Sequence, residues 1–398
     1  DFTKIMDNVR AAIKTIEPND SIERYEDLGV RCIQGYGKLT SPWSVEVEDQ
    51  TYSAANIILA TGASPQVPPI AGLSAIKYLT SDTIWDLHEL PKKLAILGGG
   101  PIGCELAQCF QRLGSKVTIV EMADRLLPNE DHSISKQLQS VLRKEGVSLL
   151  TGYRAELAEP GRLTCRNQSD ERKVEFDQLL VATGRSPRVS GFGLEELDIE
   201  IDSTKRVRTN PYLQTNFSHI YACGDLTGPW QFTHAASHEA WHASVNALFS
   251  PLKKFKVGYK AFPWCIYTDP EIAGVGITET EATASGLSCE VTEFNLADLD
   301  RAITEQKKTG VIRVITKARS DKILGARVIA PSGGELISLF TFAMHHGIGL
   351  NGILSTVFPY PTYAEGLKRT AGMWKKNQTP TWLLPWLARY HRFRRGAK

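Results

Sequence analysis

The fold of this 398-residue chain is decided by one stretch, LAILGGGPIG at residues 94–103. An apolar strand leads into a Gly-x-Gly-x-x-Gly loop, and an apolar helical pattern follows as far as Gly114, which is placed to end the helix. A second apolar strand, VTIV at residues 117–120, closes a β-α-β unit with Glu121 at its tip. The glycine motif is weak alone, but with strand, helix, second strand and acidic tip it predicts a dinucleotide-binding unit.

Each glycine of this loop has a predicted physical role. Gly98 makes the tight turn, Gly100 lets the backbone approach a pyrophosphate, and Gly103 lets helix and strand pack closely. Glu121 can accept hydrogen bonds from the adenosine ribose hydroxyls, and its carboxylate repels a 2′-phosphate, so we expect NADH rather than NADPH. Arg125 is near enough in sequence to leave NADPH open, and Glu121 could instead be a solvated residue at a strand end.

Composition and cysteine usage narrow the class of protein. The chain is 42% hydrophobic and 23% charged, which is typical of a soluble globular protein of two or three domains. Its net charge of +2 argues against general affinity for nucleic acid, and no run of about 18 apolar residues predicts a membrane span. The seven cysteines include no Cys-x-x-Cys pair, which favours a reducing cytoplasm.

Two of these cysteines have the spacing of a redox disulfide without the geometry for one. Cys104 and Cys109 lie five positions apart on the helix of the β-α-β unit, so their side chains point to different faces. The predicted inner face is instead Ile102, Leu106, Cys109 or Phe110, and Leu113. We therefore interpret both cysteines as small packing residues.

The sequence around the β-α-β unit predicts further parts. Residues 1–25 have the spacing of the end of a helix, and a strand leads to Ala-Thr-Gly at 60–62. A similar strand leads to Ala-Thr-Gly at 182–184, and this short echo indicates two related nucleotide-binding units, one nested in the other. Residues 311–315 and 323–329 predict a hairpin in an α+β domain that begins near residue 258.

Five motifs, in order, resemble those of the class I pyridine nucleotide-disulfide oxidoreductases, a family that includes glutathione reductase, dihydrolipoamide dehydrogenase and mercuric reductase. The motifs are ATG at 60–62, the glycine loop with Glu105 and Glu121, ATGRSP at 182–187, IYACGD at 220–225 and PTYAE at 361–365. The resemblance implies an α/β fold with two nested Rossmann-like domains and an α+β dimerisation domain. The implied parts are an FAD-binding domain (1–90 and 183–257), an NAD(P)-binding domain (91–182), a dimerisation domain (258–376) and a basic aromatic tail (377–398).

The resemblance also implies roles for individual residues. Asp225 is similar to the aspartate that binds the ribityl hydroxyls of FAD, with Gly224 permitting close approach; alternatively, Asp225 caps the next helix. Glu105 is similar to a glutamate near the nicotinamide, or else is an exposed helix residue. The segment at 231–234 is similar to one whose backbone faces the pyrimidine end of the flavin. The implied cofactor-binding residues are Thr61, Gly62, Gly98, Gly100, Gly103, Glu105, Glu121, Gly184, Arg185, Gly224, Asp225, Phe232, Thr233 and His234.

The front of the chain departs from the family. The family opens with its own Gly-x-Gly-x-x-Gly for the FAD pyrophosphate and a Cys-x-x-x-x-Cys disulfide, and neither pattern occurs before residue 98. We therefore expect the sequence to be a fragment of a longer gene product. The 398 residues alone are expected to bind FAD poorly and to transfer no electrons to a disulfide.

The end of the chain departs from the family as well. Most members place His before Pro-Thr-x-x-Glu, and the Glu orients this acid–base His; here that position is Tyr360, with Glu365 following. A tyrosine with its ordinary pKa of about 10 is a poor base at neutral pH. Mercuric reductases have a similar Phe-Pro-Tyr, whose tyrosine helps to hold the metal, but they end in a cysteine pair that is not found here. Tyr360 could instead be an interface aromatic residue with its hydroxyl bonded locally.

The resemblance implies an enzyme that passes electrons from NAD(P)H through FAD to a small disulfide or a thiol-bound metal ion, as mercuric reductase does. It implies a homodimer in which Tyr360 and Glu365 act across the interface, and no metal site is predicted. One alternative is dihydrolipoyl dehydrogenation, against which Tyr360 counts. Another is a non-catalytic nucleotide-binding or dimerisation module.

The tail predicts a helix that begins at Thr379-Pro380 and is kinked at Pro385. Its aromatic and leucine side chains fall on one side, and Arg389, Arg392, Arg394, Arg395 and Lys398 crowd its end. Two interpretations stay open: a weak contact with a membrane surface, or packing on the partner subunit.

Overall fold

Residues 1–27 form two helices, not the single helix predicted for residues 1–25. In the computed structural model, which describes residues 1–228, 230–380 and 382–396, helix α1 spans Phe2–Ile16 and α2 spans Ile22–Asp27. A short turn at Glu17–Asn19 separates them. Pro18 lies in that turn, and because its ring prevents the residue before it from continuing a helix easily, α1 ends there.

A small antiparallel sheet precedes the first Ala-Thr-Gly phrase. Strands β1 to β3 are joined in chain order into this sheet, and β4 ends at the phrase itself. The strands are β1 Gly37–Ser41, β2 Ser44–Val47, β3 Gln50–Ser53, β4 Ile57–Leu59 and β5 Ala63–Pro65.

The predicted β-α-β unit is present and belongs to a four-stranded parallel sheet. Its strand order is β12-β6-β7-β8, and Ile96 of β6 lies between Leu180 and Ile119 of its neighbours. These three side chains are fully buried, as expected where both faces of a parallel sheet are covered. The elements are β6 Lys93–Leu97, α3 Pro101–Leu113, β7 Lys116–Glu121, α4 His132–Lys144, β8 Ser148–Thr151, β9 Arg154–Glu159, β10 Arg162–Arg166, β11 Glu171–Glu175 and β12 Gln178–Val181.

Helix α3 ends at Gly114 as predicted, and its packed face shares Phe110 with the predicted one. Gly114 has a φ of +110°, the left-handed conformation that commonly ends a helix. Cys104, Ala107 and Phe110 are buried, whereas Cys109 is exposed. The prediction that Cys109 packs in the interior was therefore wrong, and the face that packs closely is made largely of small residues.

The second Ala-Thr-Gly phrase leads into the part of the chain that pairs with residues 57–65. Strand β13 pairs antiparallel with β5, and β14 pairs parallel with β4. A core of apolar side chains that includes Leu39, Leu59 and Leu226 joins these elements. The new elements are β13 Arg185–Pro187, β14 Ile220–Ala222 and α5 Thr233–Phe249.

The contacts divide the chain into two compact units. Unit one contains residues 1–124 and 146–258, and unit two contains residues 125–145 and 259–398. Helix α4 therefore groups with unit two, although in sequence it lies between strands of the parallel sheet. The four-part division at residues 90, 182, 257 and 376 stays a prediction.

Unit two is built on a five-stranded antiparallel sheet with the order β15-β16-β19-β18-β17. The predicted hairpin is confirmed as β18 and β19, with Val314 opposite Ala326. A cluster of buried residues, among them Phe340 and Trp374, packs helices on this sheet. The elements are β15 Pro263–Ile266, β16 Glu271–Gly276, α6 Glu279–Ala284, β17 Cys289–Asn295, α7 Asp300–Thr304, β18 Val311–Lys317, β19 Ile323–Ala330, α8 Gly333–His345, α9 Leu350–Ser355, α10 Glu365–Asn377 and α11 Leu383–Arg394.

Two buried arginines hold residues 130 and 131, just before α4, against this sheet. The Arg327 side chain is 2% exposed, and its Nε lies 2.7 Å from Glu130 Oε2. Arg313 forms ion pairs with Glu279 and with Asp131, the latter at 3.9 Å. Burial raises the pKa of Glu130, and the charge of Arg327 opposes that shift. Because removing one partner of a buried ion pair costs about 3–5 kcal/mol, these pairs fix the segment firmly.

The tail helix α11 starts three residues later than predicted. It begins at Leu383, and the amide of that residue donates to the Pro380 carbonyl. Pro385 therefore lies in the first turn, where a missing N–H breaks no helical hydrogen bond, so the predicted kink has no cause. Within the described ranges, no helix combines the length and apolarity needed to cross a membrane. Lys398, one of the predicted basic residues, lies outside the described residues.

Candidate functional site

The glycine loop after β6 has the geometry that its spacing of three glycines predicts. Gly98 has a φ of +107°, and a Cβ there would overlap the Ala182 carbonyl oxygen. A Cβ on Gly103 would overlap the Gly98 carbonyl oxygen, so the first turn of α3 passes directly over the loop. A Cβ on Gly100 would meet no atom within 4 Å. The loop is thus closed on the strand side and open at Gly100, which leaves room for a ligand.

The N-terminus of α3 is not capped by a side chain. Gly100 occupies the N-cap position and has no side chain to accept from the first-turn amides, and Pro101 follows it. The free N–H groups and the helix dipole together favour an anion at such an end. With the space at Gly100, this arrangement fits the pyrophosphate of a dinucleotide.

Glu121 reaches back to the glycine loop. Its two carboxylate oxygens accept from the amides of Gly99, at 2.6 Å, and of Ala123, at 2.7 Å. The side chain is half-buried, so Glu121 is not a solvated strand-end residue. Its carboxylate is held beside the loop by these two hydrogen bonds. Arg125 is the residue whose position in the sequence kept NADPH possible. Its guanidinium donates to the Pro128 carbonyl at 2.9 Å.

Glu105 is half-buried on α3, next to a buried thiol. Burial raises the pKa of Cys104 strongly, and the charges of Glu105 and Glu121 add to the shift. The Cys104 thiol donates to the Gly99 carbonyl at 3.4 Å. This cysteine therefore stays protonated and unreactive, as its interpretation as a packing residue requires.

A second candidate site lies at the turn after β14. Gly224 has a φ of +73°, which lets the chain turn sharply and present Asp225 with a side chain that is 20% exposed. Arg185 Nε lies 3.4 Å from Asp225 Oδ2, and its Nη2 donates to the Ala63 carbonyl at 2.8 Å. Helix α5 begins at Thr233 without any side-chain cap. Asp225 therefore does not cap that helix, and its carboxylate remains accessible.

Each of the two Ala-Thr-Gly phrases forms hydrogen bonds with a segment that is distant in sequence. The Thr61 hydroxyl donates to the Arg188 carbonyl at 3.0 Å, and the Gly62 carbonyl accepts from the Arg188 amide at 2.9 Å. In the same way, the Gly184 carbonyl accepts from the Gln66 amide at 2.9 Å. These bonds bring Thr61, Gly62, Gly184 and Arg185 into one region of unit one, although the two phrases, at 60–62 and 182–184, are far apart in sequence.

Sequence reasoning missed Glu239, which positions the acidic turn. Glu239 is fully buried on α5, and its Oε2 accepts from the Gly224 amide at 2.7 Å and the Thr227 hydroxyl at 3.0 Å. Asp225 is the next residue after Gly224, so the carboxylate of Glu239 fixes the backbone from which it projects. The available signal was that Glu239 is the one acidic residue of the 17-residue α5.

The segment predicted to face the flavin lies at the start of α5. The rings of Phe232 and His234 stack with centroids 5.3 Å apart, and His234 and Thr233 are exposed. Among the residues that the structure describes, the buried Gln231 Nε2 has no acceptor. A buried amide donor without an acceptor is the kind of group that a bound carbonyl satisfies. This segment therefore fits a polar heterocycle such as the pyrimidine end of a flavin.

Tyr360 and Glu365 lie in unit two, and each has another partner. The Tyr360 hydroxyl donates to Asp300 Oδ2 at 2.8 Å, whereas Glu365 pairs with Arg369 at 2.6 Å. The hydrogen bond to Asp300 raises the pKa of Tyr360, so its phenolate form is even scarcer at neutral pH than that of an ordinary tyrosine. Its ring is 68% exposed, which leaves it available to a ligand or another subunit. Over the described residues, no cluster of His, Cys, Asp and Glu could hold a metal ion.

Comparison with known proteins places both units. The profile described as "Pyridine nucleotide-disulphide oxidoreductase" matches residues 2–240, and the profile of that family's dimerisation domain matches residues 262–371. The mercuric reductase of Staphylococcus aureus is 32% identical over 93% of this chain and 68% of its own length. The dihydrolipoyl dehydrogenase of Thermus scotoductus is 34% identical over 86% of this chain and 75% of its own length.

A solved structure supports the same fold. The copper(II) complex of the HOCl-induced flavoprotein disulfide reductase RclA from Escherichia coli superposes with a TM-score of 0.85 at 26% identity, covering 94% of this chain and 86% of that one. The predicted fold class is thereby confirmed. The chain spans between 55% and 68% of the length of three mercuric reductases that it matches.

Proposed function

Because the chain belongs to the pyridine nucleotide-disulphide oxidoreductase family, we propose that it works as an FAD-dependent oxidoreductase that passes electrons from NAD(P)H to a disulfide or a thiol-bound metal ion. One structural observation carries this proposal: unit one holds both an open glycine loop and an acidic turn fixed by distant segments. When bound, the two dinucleotides supply a hydride donor and a two-electron acceptor.

The protein's part in this chemistry is binding and orientation. The amides at the start of α3 hold a pyrophosphate, and Glu121 holds the adenosine ribose of NADH. Asp225 accepts hydrogen bonds from the ribityl hydroxyls of FAD while Arg185 keeps its carboxylate in place. Glu239 keeps the turn rigid from behind. Glu105, half-buried on α3, is proposed to line the nicotinamide side of the site.

For the electron acceptor, a mercuric reductase-like reaction is favoured over dihydrolipoyl dehydrogenation. Thiol deprotonation needs a base near neutral pH, and Tyr360, whose pKa is raised by Asp300, cannot provide one. Its protonated hydroxyl is instead a hydrogen-bond donor or a metal ligand on an exposed ring. Several relatives are mercuric reductases, and the RclA structure is a copper(II) complex. We propose that Tyr360 and Glu365 act across a homodimer interface formed by the dimerisation domain.

The place of action is proposed to be the cytoplasm. All seven cysteines are free thiols, spread over buried and exposed positions. Such usage is typical of proteins kept in reducing surroundings.

The test is made on the complete gene product, because Cys32 is the one cysteine before residue 98. We expect the purified protein to be yellow, and NADH to bleach the flavin absorbance in a stopped-flow experiment. A thiolate-to-flavin charge-transfer band should follow. Reduction of mercuric ion, cupric ion and lipoamide is then compared under identical conditions.

The matched variant is Asp225→Asn, which keeps the shape of the side chain and removes its charge. We expect its dissociation constant for FAD to rise about tenfold, because a hydrogen bond to a charged group contributes about 1.5–3 kcal/mol. A gene product that stays colourless with excess flavin contradicts the proposal and leaves a non-catalytic nucleotide-binding or dimerisation module. Faster turnover of lipoamide than of either metal ion favours the dihydrolipoyl alternative.

A further inference from the structure

The end of the chain has a charge that differs sharply from the rest. The 33 residues from 366 to 398 contain nine Lys and Arg and no Asp or Glu. Since the whole chain has a net charge of +2, residues 1–365 carry −7. Positive charge is therefore concentrated in α10 and α11, at the end of unit two.

Helix α11 exposes large apolar side chains that a water-facing helix normally avoids. None of its side chains between Leu383 and Arg394 is buried. Phe393 is 82% exposed and Trp386 56% exposed, and Trp382, just before the helix, is 66% exposed. Exposed aromatic residues in such a group mark a binding surface rather than a random part of the protein exterior.

These side chains share one side of the helix. At 100° per residue, Trp382, Trp386, Tyr390 and Phe393 fall within about one quarter of the circumference. The rings of Trp386 and Tyr390 are stacked, with centroids 5.8 Å apart and planes 4° from parallel. The result is a continuous aromatic ridge along the helix.

The cations lie on both flanks of the ridge and on the side opposite it. At 100° per residue, Arg389 and Arg394 lie about 60° and about 80° from the centre of the ridge, on its two flanks. Arg392 and Arg395 lie about 120° and about 180° away from it. An aromatic ridge with arginines on its flanks and far side is the arrangement of a helix that lies in the surface of a lipid bilayer.

We propose that α11 binds the surface of an anionic phospholipid bilayer. The aromatic ridge inserts at the level of the headgroups, where Trp and Tyr rings can be half-immersed, and the arginines reach out to the lipid phosphates. Twelve residues span about 18 Å, which suffices to lie along the surface but not to cross a bilayer. The surface potential of anionic lipids is complementary to a segment that has nine cations and no anion.

Packing on a second copy of the chain fits the observations less well. A copy that packed its own α11 against this one would bring like charges together, because residues 366–398 contain no Asp or Glu. Nucleic acid would match the charge but not a ridge formed by two tryptophans, a tyrosine and a phenylalanine on one face. The proposal does not depend on the redox reaction.

The test is flotation of the full chain with vesicles. Two preparations are compared: phosphatidylcholine alone, and equal parts of phosphatidylcholine and phosphatidylglycerol. We expect flotation with the anionic vesicles at low salt and its loss in high salt, because the arginines act through a screened potential. In Trp386→Ser/Phe393→Ser and in Arg392→Glu/Arg395→Glu, binding should fall by at least about tenfold.

The control variants make the same chemical changes elsewhere. Leu252→Ser/Leu287→Ser removes two exposed apolar side chains, and Lys173→Glu/Lys205→Glu makes the same net-charge change, in both cases outside α11. Both controls should float like the parent chain, and all four variants should keep its thermal unfolding midpoint. Equal flotation of parent and α11 variants overturns the proposal, as does flotation of none of them.

Light scattering and nucleic-acid binding address the two other occupants. If the α11 variants lower the molecular mass in solution while flotation is absent, α11 packs on a second copy and the proposal is wrong. Binding of the parent chain to duplex DNA, but not to anionic vesicles, overturns it as well.

Discussion

The glycine loop and the acidic turn of unit one are built in opposite ways. The loop at 98–103 consists of neighbouring residues, and its Gly98 and Gly99 amides donate to Val120 and Glu121 at the end of the next strand. The turn at Asp225 depends instead on Arg185 and Glu239, from separate parts of the chain. The loop is therefore encoded by a contiguous stretch, and the turn by long-range contacts, so each should respond differently to substitution.

Each region buries a thiol, that of Cys104 at the loop and that of Cys223 at the turn. The largest expected effect is on the alkylation rate of Cys223. Burial raises the pKa of Cys223 to about 11, and the charge of Glu239 adds to the shift. At pH 8 its thiolate is about two hundred times scarcer than that of a thiol with a pKa of about 8.5. Alkylation followed by peptide mass spectrometry should show a correspondingly slow reaction that accelerates about tenfold per pH unit.

The same shift has a consequence for stability. Because the folded-state pKa of Cys223 lies above the unfolded value, the unfolded chain releases this proton first. The contribution to stability is complete below pH of about 8.5 and is lost as the pH rises towards 11. If Cys223 were alkylated as fast as a free thiol at pH 8, the turn would be an open region and its contrast with the loop would disappear.

The next effect separates the glycines of the loop. Gly103→Val should lower the free energy of unfolding by about 3 kcal/mol, because the new side chain overlaps the Gly98 carbonyl oxygen. Gly100→Ala is the matched control, since a Cβ there meets no atom within 4 Å, and it should cost less than about 1 kcal/mol. Urea unfolding followed by circular dichroism measures both. Equal losses would show that the loop is not closed on its strand side.

Glu239→Ala tests the turn. The substitution leaves the buried Gly224 amide without its acceptor, which should cost about 2 kcal/mol, and Glu239→Gln should recover part of the loss. Urea unfolding provides the measurement, and Glu335→Ala, an exposed glutamate on α8, provides the control. A wild-type stability for Glu239→Ala would mean that the turn holds its shape without α5.

The smallest expected effect is on cofactor choice. Glu121→Gln keeps the size of the side chain but removes the charge that opposes a 2′-phosphate, so the ratio of kcat/KM for NADH to that for NADPH should fall about tenfold. Steady-state kinetics of the complete gene product, with Glu145→Gln as a control, would measure it. An unchanged ratio would assign the choice of cofactor to residues other than Glu121.

The contrast between the glycine loop and the acidic turn also explains which features the sequence could predict. The loop, its flanking strands and Glu121 were predictable because their roles depend on neighbouring residues and one spacing. Glu239 was not, because its partner is a backbone amide fifteen residues earlier, and no pattern of side chains reveals a backbone donor. The motif at 220–225 indicated Asp225, but its contact with Arg185 required the fold.

Two errors have equally physical causes. Leu106 and Leu113 were expected to face inward as large apolar residues, yet α3 approaches its sheet through Cys104 and Ala107, since small side chains allow close packing. The tail helix was expected to begin at Thr379-Pro380, a good local cap signal. It begins at Leu383, which moved Pro385 from the middle of the predicted helix to a harmless first turn.

Arg313 and Arg327 form ion pairs with residues 131 and 130. Because of these ion pairs, the two units cannot be separated by cutting the gene at a single position. Residues 125–145 separate two stretches of unit one, yet Glu130 and Asp131 form ion pairs with residues that follow 258. A shortened gene that stopped at residue 258 would release Glu130 and Asp131 from both arginines and remove the rest of the unit with which α4 groups. Its product should therefore be prone to aggregation. A chain that ends at residue 258 would need a redesigned α4 before it could be studied alone.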